Sequence, residues 1–165
     1  MINSGRFMSY LSVFMRKPQA VAQVFGNKDF PQLKGNVCFY QTKSGVIIAA
    51  EIDGLPASDN PCQSPFLGFH IHEGSACQGD EKDSFSQTMG HFNPQNCPHP
   101  FHSGDLPPLL SNNGYAFHIF LSDRFTVNEI LGKTVIIHSS PDDFKSQPSG
   151  NAGKKIACGI ITRNF

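Results

Sequence analysis

The sequence predicts an all-β domain, folded as an antiparallel sandwich or barrel. Short runs rich in β-branched and aromatic residues recur along the chain, and each is closed by Gly, Pro, Asn or Asp. Such runs are typical of strands joined by turns. No stretch shows the sustained 3.6-residue apolar periodicity of an amphipathic helix. With 165 residues, the chain is long enough for one domain with a real core.

Seven strands are predicted in chain order. The first three are AVAQVF, GNVCFYQ and GVIIAAEI, which are separated by segments containing Gly, Asn, Asp, Pro or Ser. The fourth, FLGFHIHE, follows the turn-rich segment DGLPASDNPCQSP, and the last three are GYAFHIFL, KTVIIHSS and ACGIITR. Two long intervals lack strand character, from Gly74 to Pro108 and from Ser139 to Lys154. Segments of that length are uncommon in a compact domain unless they are functional loops or disordered, so we expect two functional loops.

Charge and hydropathy exclude several classes of partner. Thirteen basic residues balance thirteen acidic ones, and neither sign forms a long block. The electrostatic footprint of a nucleic-acid or membrane-surface binder is therefore absent. No window approaches the roughly 18 apolar residues of a membrane span. We expect neither a nucleic-acid nor a membrane partner.

The N-terminal segment does not fit an export signal. The apolar run from Phe7 to Met15 is interrupted by two serines and a tyrosine, and Arg16 and Lys17 follow where a small-residue cleavage site is expected. We therefore expect a cytoplasmic protein, with export by another route left open. Residues 1–16 are predicted to be a loosely ordered lead-in, and residues 17–165 the folded domain.

Three histidines on predicted strands are candidate metal ligands. Side chains alternate between the two faces of a strand, so His70 and His72 in FLGFHIHE point to the same side. His138 ends the strand KTVIIHSS beside a long interval and could approach this pair. Two imidazoles on one face also occur by chance on exposed strands, so the pair alone leaves both interpretations open. His118, in GYAFHIFL, is expected to be a surface or satisfied core histidine.

The first long interval contains a second group of candidate ligands, in GHFNPQNCPHPFHSGD. His91, His99, His102 and Asp105 supply four N and O donors, which is the number and chemistry of a tetrahedral zinc site. The prolines of this segment would limit its flexibility and lower the entropy cost of gathering the ligands. A solvated polar loop without a metal is the alternative.

Together these segments resemble the copper-zinc superoxide dismutase family, from about Lys17 to Ile161. Five motifs carry the resemblance in the family's order: GFHIHEGSAC, GHFNPQN, HSGDLP, GKTVIIHSSPDD and SGNAGKKIACGII. The resemblance implies an eight-stranded Greek-key β-barrel, an immunoglobulin-like sandwich, with two long loops over the metals. It also implies conversion of superoxide to oxygen and hydrogen peroxide by copper(II)/copper(I) cycling beside a structural zinc.

The resemblance gives roles to six of the seven histidines. The expected copper ligands are His70, His72, His91 and His138. The expected zinc ligands are His91, His99, His102 and Asp105. His91 would bridge the two metals and carry a proton during turnover. Asp142 is expected to bond one copper histidine and one zinc histidine and to fix both rings, whereas its alternative role is that of a turn aspartate.

The resemblance also implies a disulfide between Cys77 and Cys158. Closing roughly 80 residues would stabilise the fold by about 4 kcal/mol in the chain-entropy model. Cys62 and Cys97 lie outside the motifs and could form a second bridge, and Cys38 is expected to be a buried small hydrophobe. A disulfide is typical of an oxidising compartment, which conflicts with the expected cytoplasmic location and leaves the compartment open.

Two positions depart from the family pattern. Lys155 stands where the family has an arginine that draws superoxide towards the copper. Because an ammonium is more mobile and more hydrated than a guanidinium, we expect activity lower by about tenfold, or about 1.4 kcal/mol. The second departure is HPFH, which separates His99 from His102 by far fewer residues than is usual in the family. This short turn could strain the zinc geometry or leave one histidine out.

A second hypothesis is a low-activity or non-catalytic copper/zinc-binding domain that acts as a metal buffer or interaction module. Lys155 favours this hypothesis, whereas the complete set of copper ligands favours the enzyme. Superoxide would be the substrate of the enzyme. A homodimer stays open at this point, because members of the family differ in how they pair.

Overall fold

The computed structural model describes residues 12–57, 60 and 62–165. Nine strands occur in these ranges, and seven of them form one curled antiparallel sheet in the order β5-β8-β9-β1-β2-β3-β7, while β4 pairs with β6. The strands are β1 (Ala20–Gly26), β2 (Lys34–Thr42), β3 (Gly45–Asp53), β4 (Phe66–Leu67), β5 (Phe69–His72), β6 (Leu109–Leu110), β7 (Ala116–Ser122), β8 (Thr134–His138) and β9 (Lys155–Arg163). The prediction of an all-β fold is confirmed, and a Greek-key barrel is consistent with this sheet.

Strands β4 and β5 correspond to the single predicted strand FLGFHIHE. The break falls at Gly68, whose carbonyl accepts the His138 N–H and whose N–H donates to Ser140, both at 2.8 Å. A Cβ at Gly68 would lie 2.8 Å from the Cβ of Ala152, so a larger residue would push the second long loop away. If β4 and β5 are counted as one interrupted strand, the described chain has eight strands, which is the number that the family resemblance implies. Strand β6 was not predicted, because two leucines carry no periodic signal.

Short helical segments complete the described chain. Two 3-10 turns cover Ser12–Met15 and Ser86–Thr88, and the single-turn helix α1 covers Val127–Ile130. Helix α1 begins with a capping box in which Glu129 Oε2 accepts hydrogen bonds from the N–H and the hydroxyl of Thr126, both at 2.7 Å. Helix α1 was not predicted from the sequence, because one turn is too short to show a periodic stripe. Among the described residues, no helix is both long enough and apolar enough to cross a membrane.

The predicted lead-in lies mostly outside the described residues, which begin at Ser12. Phe14, in the first 3-10 turn, packs edge-on against Tyr40, with ring centroids 5.4 Å apart. Met15 is 89% exposed. The loosely ordered lead-in over residues 1–16 and the domain boundary at residue 17 stay predictions.

The hydrophobic core lies inside the curl of the sheet. Its largest buried side chains include Phe39, Ile48, Phe69 and Ile71. Every residue of β5 and β8 is buried, because the core covers one face of these strands and the two long loops cover the other. Burial of both faces is typical of segments that open rarely, so these two strands are a rigid support for the side chains beneath the loops.

Candidate metal centre

The first group of ligands is the strand-side cluster, defined as His70, His72, His91 and His138. One ring nitrogen from each of these four buried residues lies within 4.8 Å of the others. Strand β5 pairs with β8 in the register that sets His70 opposite Ile136 and His72 opposite Thr134. A register shift between Ile137 and His138 then turns the end of β8. The Nε2 atoms of His72 and His138 are 3.4 Å apart as a result.

The first long loop returns along the open edge of β5. Ile71 donates its N–H to the carbonyl of Gly104 at 2.9 Å and accepts the N–H of Phe92 at 2.8 Å. These bonds set His91 opposite His72 in an isolated β-bridge. A Cβ at Gly104 would lie 2.2 Å from the Ile71 carbonyl oxygen, so only glycine allows this close approach. The loop therefore carries its ligands to the strand through backbone hydrogen bonds.

The second group is the loop-side cluster, defined as His91, His99, His102 and Asp105. One ligand atom of each lies within 4.8 Å of the others. Asp105 Oδ1 is 2.6 Å from His91 Nδ1, and Asp105 Oδ2 is 3.1 Å from His99 Nδ1. His102 Nδ1 lies 3.3 Å from His91 Nδ1. The structure thus brings both histidines of the short HPFH turn into the cluster, and His91 belongs to both clusters.

Asp142 is hydrogen-bonded to one histidine of each cluster, on the side of the rings that faces away from the clusters. Its Oδ2 is 2.7 Å from His70 Nε2 and its Oδ1 is 2.9 Å from His99 Nε2, while Oδ1 also accepts the Phe144 N–H at 2.7 Å. Burial by itself raises the pKa of the Asp142 carboxyl, but these hydrogen bonds outweigh it and lower the pKa to about 2. Gly150 lies against the same carboxylate at φ +66, where a Cβ would stand 2.0 Å from Oδ1.

The hydrogen bonds of the outer ring nitrogens determine which nitrogens face the clusters. The Nε2 atoms of His70 and His99 face Asp142, so their Nδ1 atoms point inward. His72 and His138 are bonded through Nδ1 to the carbonyls of Met89 and Gly153, at 2.9 and 3.2 Å, which leaves Nε2 inward. Partners of this kind orient metal-binding imidazoles in proteins.

Three inward nitrogens are buried without a hydrogen bond among the described residues: His70 Nδ1, His91 Nε2 and His99 Nδ1, the last of which lies 3.1 Å from Asp105 Oδ2. A buried nitrogen without a partner is costly, and a metal ion bound between the rings would satisfy it. The donors in the strand-side cluster are four imidazoles, which suit copper, and those in the loop-side cluster are three imidazoles and a carboxylate, which suit zinc. The residues present therefore fit both metals.

Burial keeps most of these imidazoles neutral. It is the main cause that lowers the pKa of His70, His102 and His72, the last of them well below its usual value. Burial and the nearby His70 lower the pKa of His138 to about 3. A neutral imidazole offers the lone pair that a metal requires, so at neutral pH these rings are ready to bind.

The remaining histidine lies apart from both clusters. His118 is on β7, only partly buried, with its ring 5.0 Å from that of Phe120. Burial lowers its pKa. Its Nδ1 is buried without a hydrogen bond among the described residues, so of the two expected roles, surface and satisfied core histidine, its partial exposure on β7 fits the surface role.

The cysteines form one disulfide, between Cys77 and Cys158, with Cα atoms 5.6 Å apart. It joins the first long loop to β9 and closes a separation of 81 residues. Cys62 and Cys97 are free thiols, so the suggested second bridge is not formed. Cys38 is also free and only partly buried, because its strand β2 turns that position towards the outer face of the sheet, where β2 has partly exposed residues.

Lys155 lies on β9 opposite His138, as expected for a cation beside the strand-side cluster. Its Nζ donates to Asp83 Oδ2 at 2.8 Å and to the carbonyl of Phe85 at 3.1 Å. Asp83 was not predicted from the sequence as a partner of Lys155. It stands in the acidic segment GDEKDSF, which gave no periodic or motif signal that could have singled it out.

Comparison with known proteins agrees with this geometry. The family described as copper/zinc superoxide dismutase (SODC) matches residues 33–161. The copper-zinc superoxide dismutase 2 of Aquifex aeolicus is 34% identical over 173 aligned positions, which cover 96% of this chain and 95% of that protein. A crystal structure of a double mutant of a superoxide dismutase-like protein from Bacillus subtilis is 29% identical, with a TM-score of 0.68, and covers 86% of this chain and 96% of its own.

The copper/zinc superoxide dismutase of Brucella abortus supports the fold alone. Its structure has a TM-score of 0.70 at 24% identity and covers 86% of this chain and 98% of its own. The family match extends from the end of the first turn to the last strand and includes both ligand clusters and the disulfide. The chain therefore belongs to the copper/zinc superoxide dismutase family.

Proposed function

We propose that this chain is a superoxide dismutase, which converts two superoxide anions and two protons into one oxygen and one hydrogen peroxide. The observation that carries the proposal is the position of His91. Its Nδ1 faces the loop-side cluster, 2.6 Å from Asp105, while its buried Nε2 faces the strand-side cluster without a partner among the described residues. One imidazole thus stands between two adjacent groups of ligands.

In this proposal the strand-side cluster holds copper and the loop-side cluster holds zinc. Copper supplies the exchange of one electron with each superoxide, whereas zinc has no accessible redox change and acts structurally. Copper would be held by Nδ1 of His70 and Nε2 of His72, His91 and His138. Zinc would be held by Nδ1 of His91, His99 and His102 and a carboxylate oxygen of Asp105.

The protein groups around the ligands keep them in place and handle protons. Asp142 accepts from His70 and His99, so both rings keep the tautomer that presents Nδ1 inward. His91 is the ligand shared by the two clusters. Its Nε2 can take up a proton and pass it to the reduced superoxide. Because the imidazoles are buried, water has little access to compete at these positions.

Lys155 supplies the positive charge that attracts the substrate. Its side chain is 15% exposed, and the residue is the cross-strand partner of His138. A cation in this position raises the local concentration of a small anion and its rate of association. The attraction should weaken with salt, because exposed charges are screened.

Pulse radiolysis of the protein loaded with copper and zinc tests the proposal directly. Superoxide should decay much faster than with the metal-free protein, and His138→Ala should abolish the difference. His118→Ala is the matched control, because His118 lies outside both clusters, and it should keep wild-type activity. Decay no faster than with the metal-free protein would reject the enzyme in favour of a non-catalytic metal-binding domain.

Two further predictions belong with this proposal. Pairing of two copies of the chain is proposed without a chosen face, and sedimentation analysis of the metal-loaded protein tests it.

A cytoplasmic location is proposed from the interrupted apolar run near the N-terminus, and fractionation of the source cells tests it.

A further inference from the structure

The cation assigned to substrate attraction is held in an ion pair. Lys155 Nζ lies 2.8 Å from Asp83 Oδ2, and the side chain of Asp83 is 39% exposed. The field of an ion pair falls off faster than that of a single charge, because the two charges cancel at a distance. We propose that Asp83 is a positioning residue that holds the Lys155 ammonium in place and weakens the attraction of the site for superoxide. This inference rests on the proposed function.

The carboxylate of Asp83 is itself fixed by its surroundings. Its Oδ1 accepts the N–H of Phe85 at 3.0 Å, so each oxygen has a defined partner. The carbonyl of Asp83 accepts the N–H groups of Asp80 and Ser86, at 3.0 and 3.1 Å. A Cβ at Gly79 would lie 2.0 Å from that carbonyl oxygen. Asp83 is therefore part of a closed turn and differs from a mobile surface charge.

The turn is tied to the strand that carries Lys155. The disulfide links Cys77, ahead of the turn, to Cys158, which lies on β9 with Lys155. Phe85 packs on Cys158 and on Ile136 of β8. The disulfide and the packing of Phe85 thus hold the turn with Asp83 against the strand with Lys155. This arrangement sets the distance between the two charges.

The Lys155 charge also reaches the strand-side cluster. Lys155 pairs with His138 in the register of β8 and β9, so the two residues are cross-strand neighbours. A charge placed beside His138 is also felt by an anion that approaches the same imidazole. Removal of the opposing Asp83 charge should therefore be measurable at the metal.

The decisive substitution is Asp83→Asn, which removes the charge and keeps an oxygen acceptor. We expect the rate constant with superoxide to rise about threefold at low ionic strength, the scale of one unit charge acting through water at roughly 7 Å. The fall of the rate with added salt should become steeper. Asp83→Glu, which retains the charge, should restore the wild-type salt dependence. If Asp83→Asn does not take up both metals, Asp83→Ser keeps a hydroxyl for the Phe85 N–H and provides the same measurement.

Two controls separate the ion pair from a general effect of charge. Asp80 lies in the same turn, but its Oδ1 accepts the backbone N–H groups of Lys82 and Asp83. Asp80→Asn removes the same charge and should change the rate and the salt dependence less than Asp83→Asn. In a Lys155→Met background Asp83 has no ammonium to hold, so Asp83→Asn there reports only the direct repulsion between the carboxylate and the anion, and the difference between the two backgrounds measures the coupling of Asp83 with Lys155.

Azide affinity gives a readout that does not depend on turnover. Azide is a small anion, and its binding to the copper-loaded protein can be followed by visible absorption. We expect Asp83→Asn to tighten azide binding by about threefold at low ionic strength, on the same electrostatic grounds. An inactive wild-type protein would reject the proposed function and leave the azide measurement as the test of Asp83. An active wild-type protein with unchanged rate, salt dependence and azide affinity in Asp83→Asn would overturn the inference, as would an effect of the same size in the Lys155→Met background, because Asp83 would then act on the anion without holding Lys155.

Discussion

His70, His72 and His138 come from β5 and the end of β8, two neighbouring strands with both faces buried. The backbone hydrogen bonds of the sheet determine the distances between these side chains. His99, His102 and Asp105 lie instead on a loop, which reaches β5 through a few hydrogen bonds around Ile71. His91 stands on the same loop and contributes to both clusters.

The difference indicates how each cluster depends on its metal. The strands keep three ligands of the strand-side cluster in place whether or not an ion is bound, because the sheet is stabilised by the core. The loop-side cluster gathers three imidazoles and a carboxylate from a loop that is tied to β5 by a few backbone hydrogen bonds, and Asp142 is bonded to only one of its rings, that of His99. Zinc should therefore contribute to the folding of its loop, whereas copper should enter a preformed site.

Loss of the shared ligand should have the largest effect, because it damages both clusters. In His91→Ala we expect dismutation to fall by more than the 10–100-fold that is typical for loss of an outer partner of a metal ligand. Pulse radiolysis measures the rate, and metal analysis after dialysis measures occupancy. Retention of both metals together with wild-type turnover would contradict the role of His91.

Asp142→Asn should separate the two regions. An asparagine offers one oxygen acceptor where Asp142 offers two, so one of the rings of His70 and His99 loses its partner. We expect zinc affinity to fall by about 10–100-fold and copper affinity to fall less, because β5 still positions His70. Competition with a chelator measures both affinities.

The neighbouring residue provides the matched control for this change. The Asp143 carboxylate accepts hydrogen bonds from the N–H groups of Lys145 and Ser146 and from the Ser146 hydroxyl. Asp143→Asn should leave the affinity for either metal unchanged. Equal losses of copper and zinc in Asp142→Asn would show that the strands do not hold their cluster independently.

A substitution on the strand side alone should change the rate without changing zinc binding. Lys155→Arg replaces a hydrated point charge by a planar group with several fixed donors. We expect the rate constant with superoxide to rise by up to about tenfold, which corresponds to about 1.4 kcal/mol of transition-state stabilisation. An unchanged rate would remove Lys155 from the pathway of the anion.

A fall in pH should lower the stability of the metal-free protein, and this effect should be smaller than those of the substitutions above. The folded pKa of His138 is about 3, below its usual 6.5, so the unfolded chain binds more protons between these values and stability falls as pH drops through this window. The folded pKa of Asp142 is about 2, below its usual 3.8, so its contribution is lost as pH falls from about 4 towards 2. Calorimetry of the metal-free protein should show a melting temperature that decreases from pH 7 to pH 4. In His138→Asn the decrease should be shallower, and an identical slope would contradict the assignment.

Sequence patterns were sufficient where local geometry alone determines position. The alternation of side chains along a strand placed His70 and His72 on one face, and the structure has both buried in one cluster. The break at Gly68, the strand β6 and the helix α1 were missed, since each depends on packing or on elements too short for a period. The proposed Cys62–Cys97 bridge was wrong, because no sequence rule reports the distance between two loop cysteines.

The sequence by itself determined the all-β class, the two long loops, the candidate ligands and, through its motifs, the family. Only the tertiary structure decided that the short HPFH turn brings both histidines to Asp105, and that Lys155 is held by Asp83. The candidate ligands follow from residue chemistry and, through the motifs, from the family resemblance, both of which the sequence contains. The pairing of charges across 72 residues follows from the closure of loops by backbone hydrogen bonds and a disulfide, which exists only once the chain has folded.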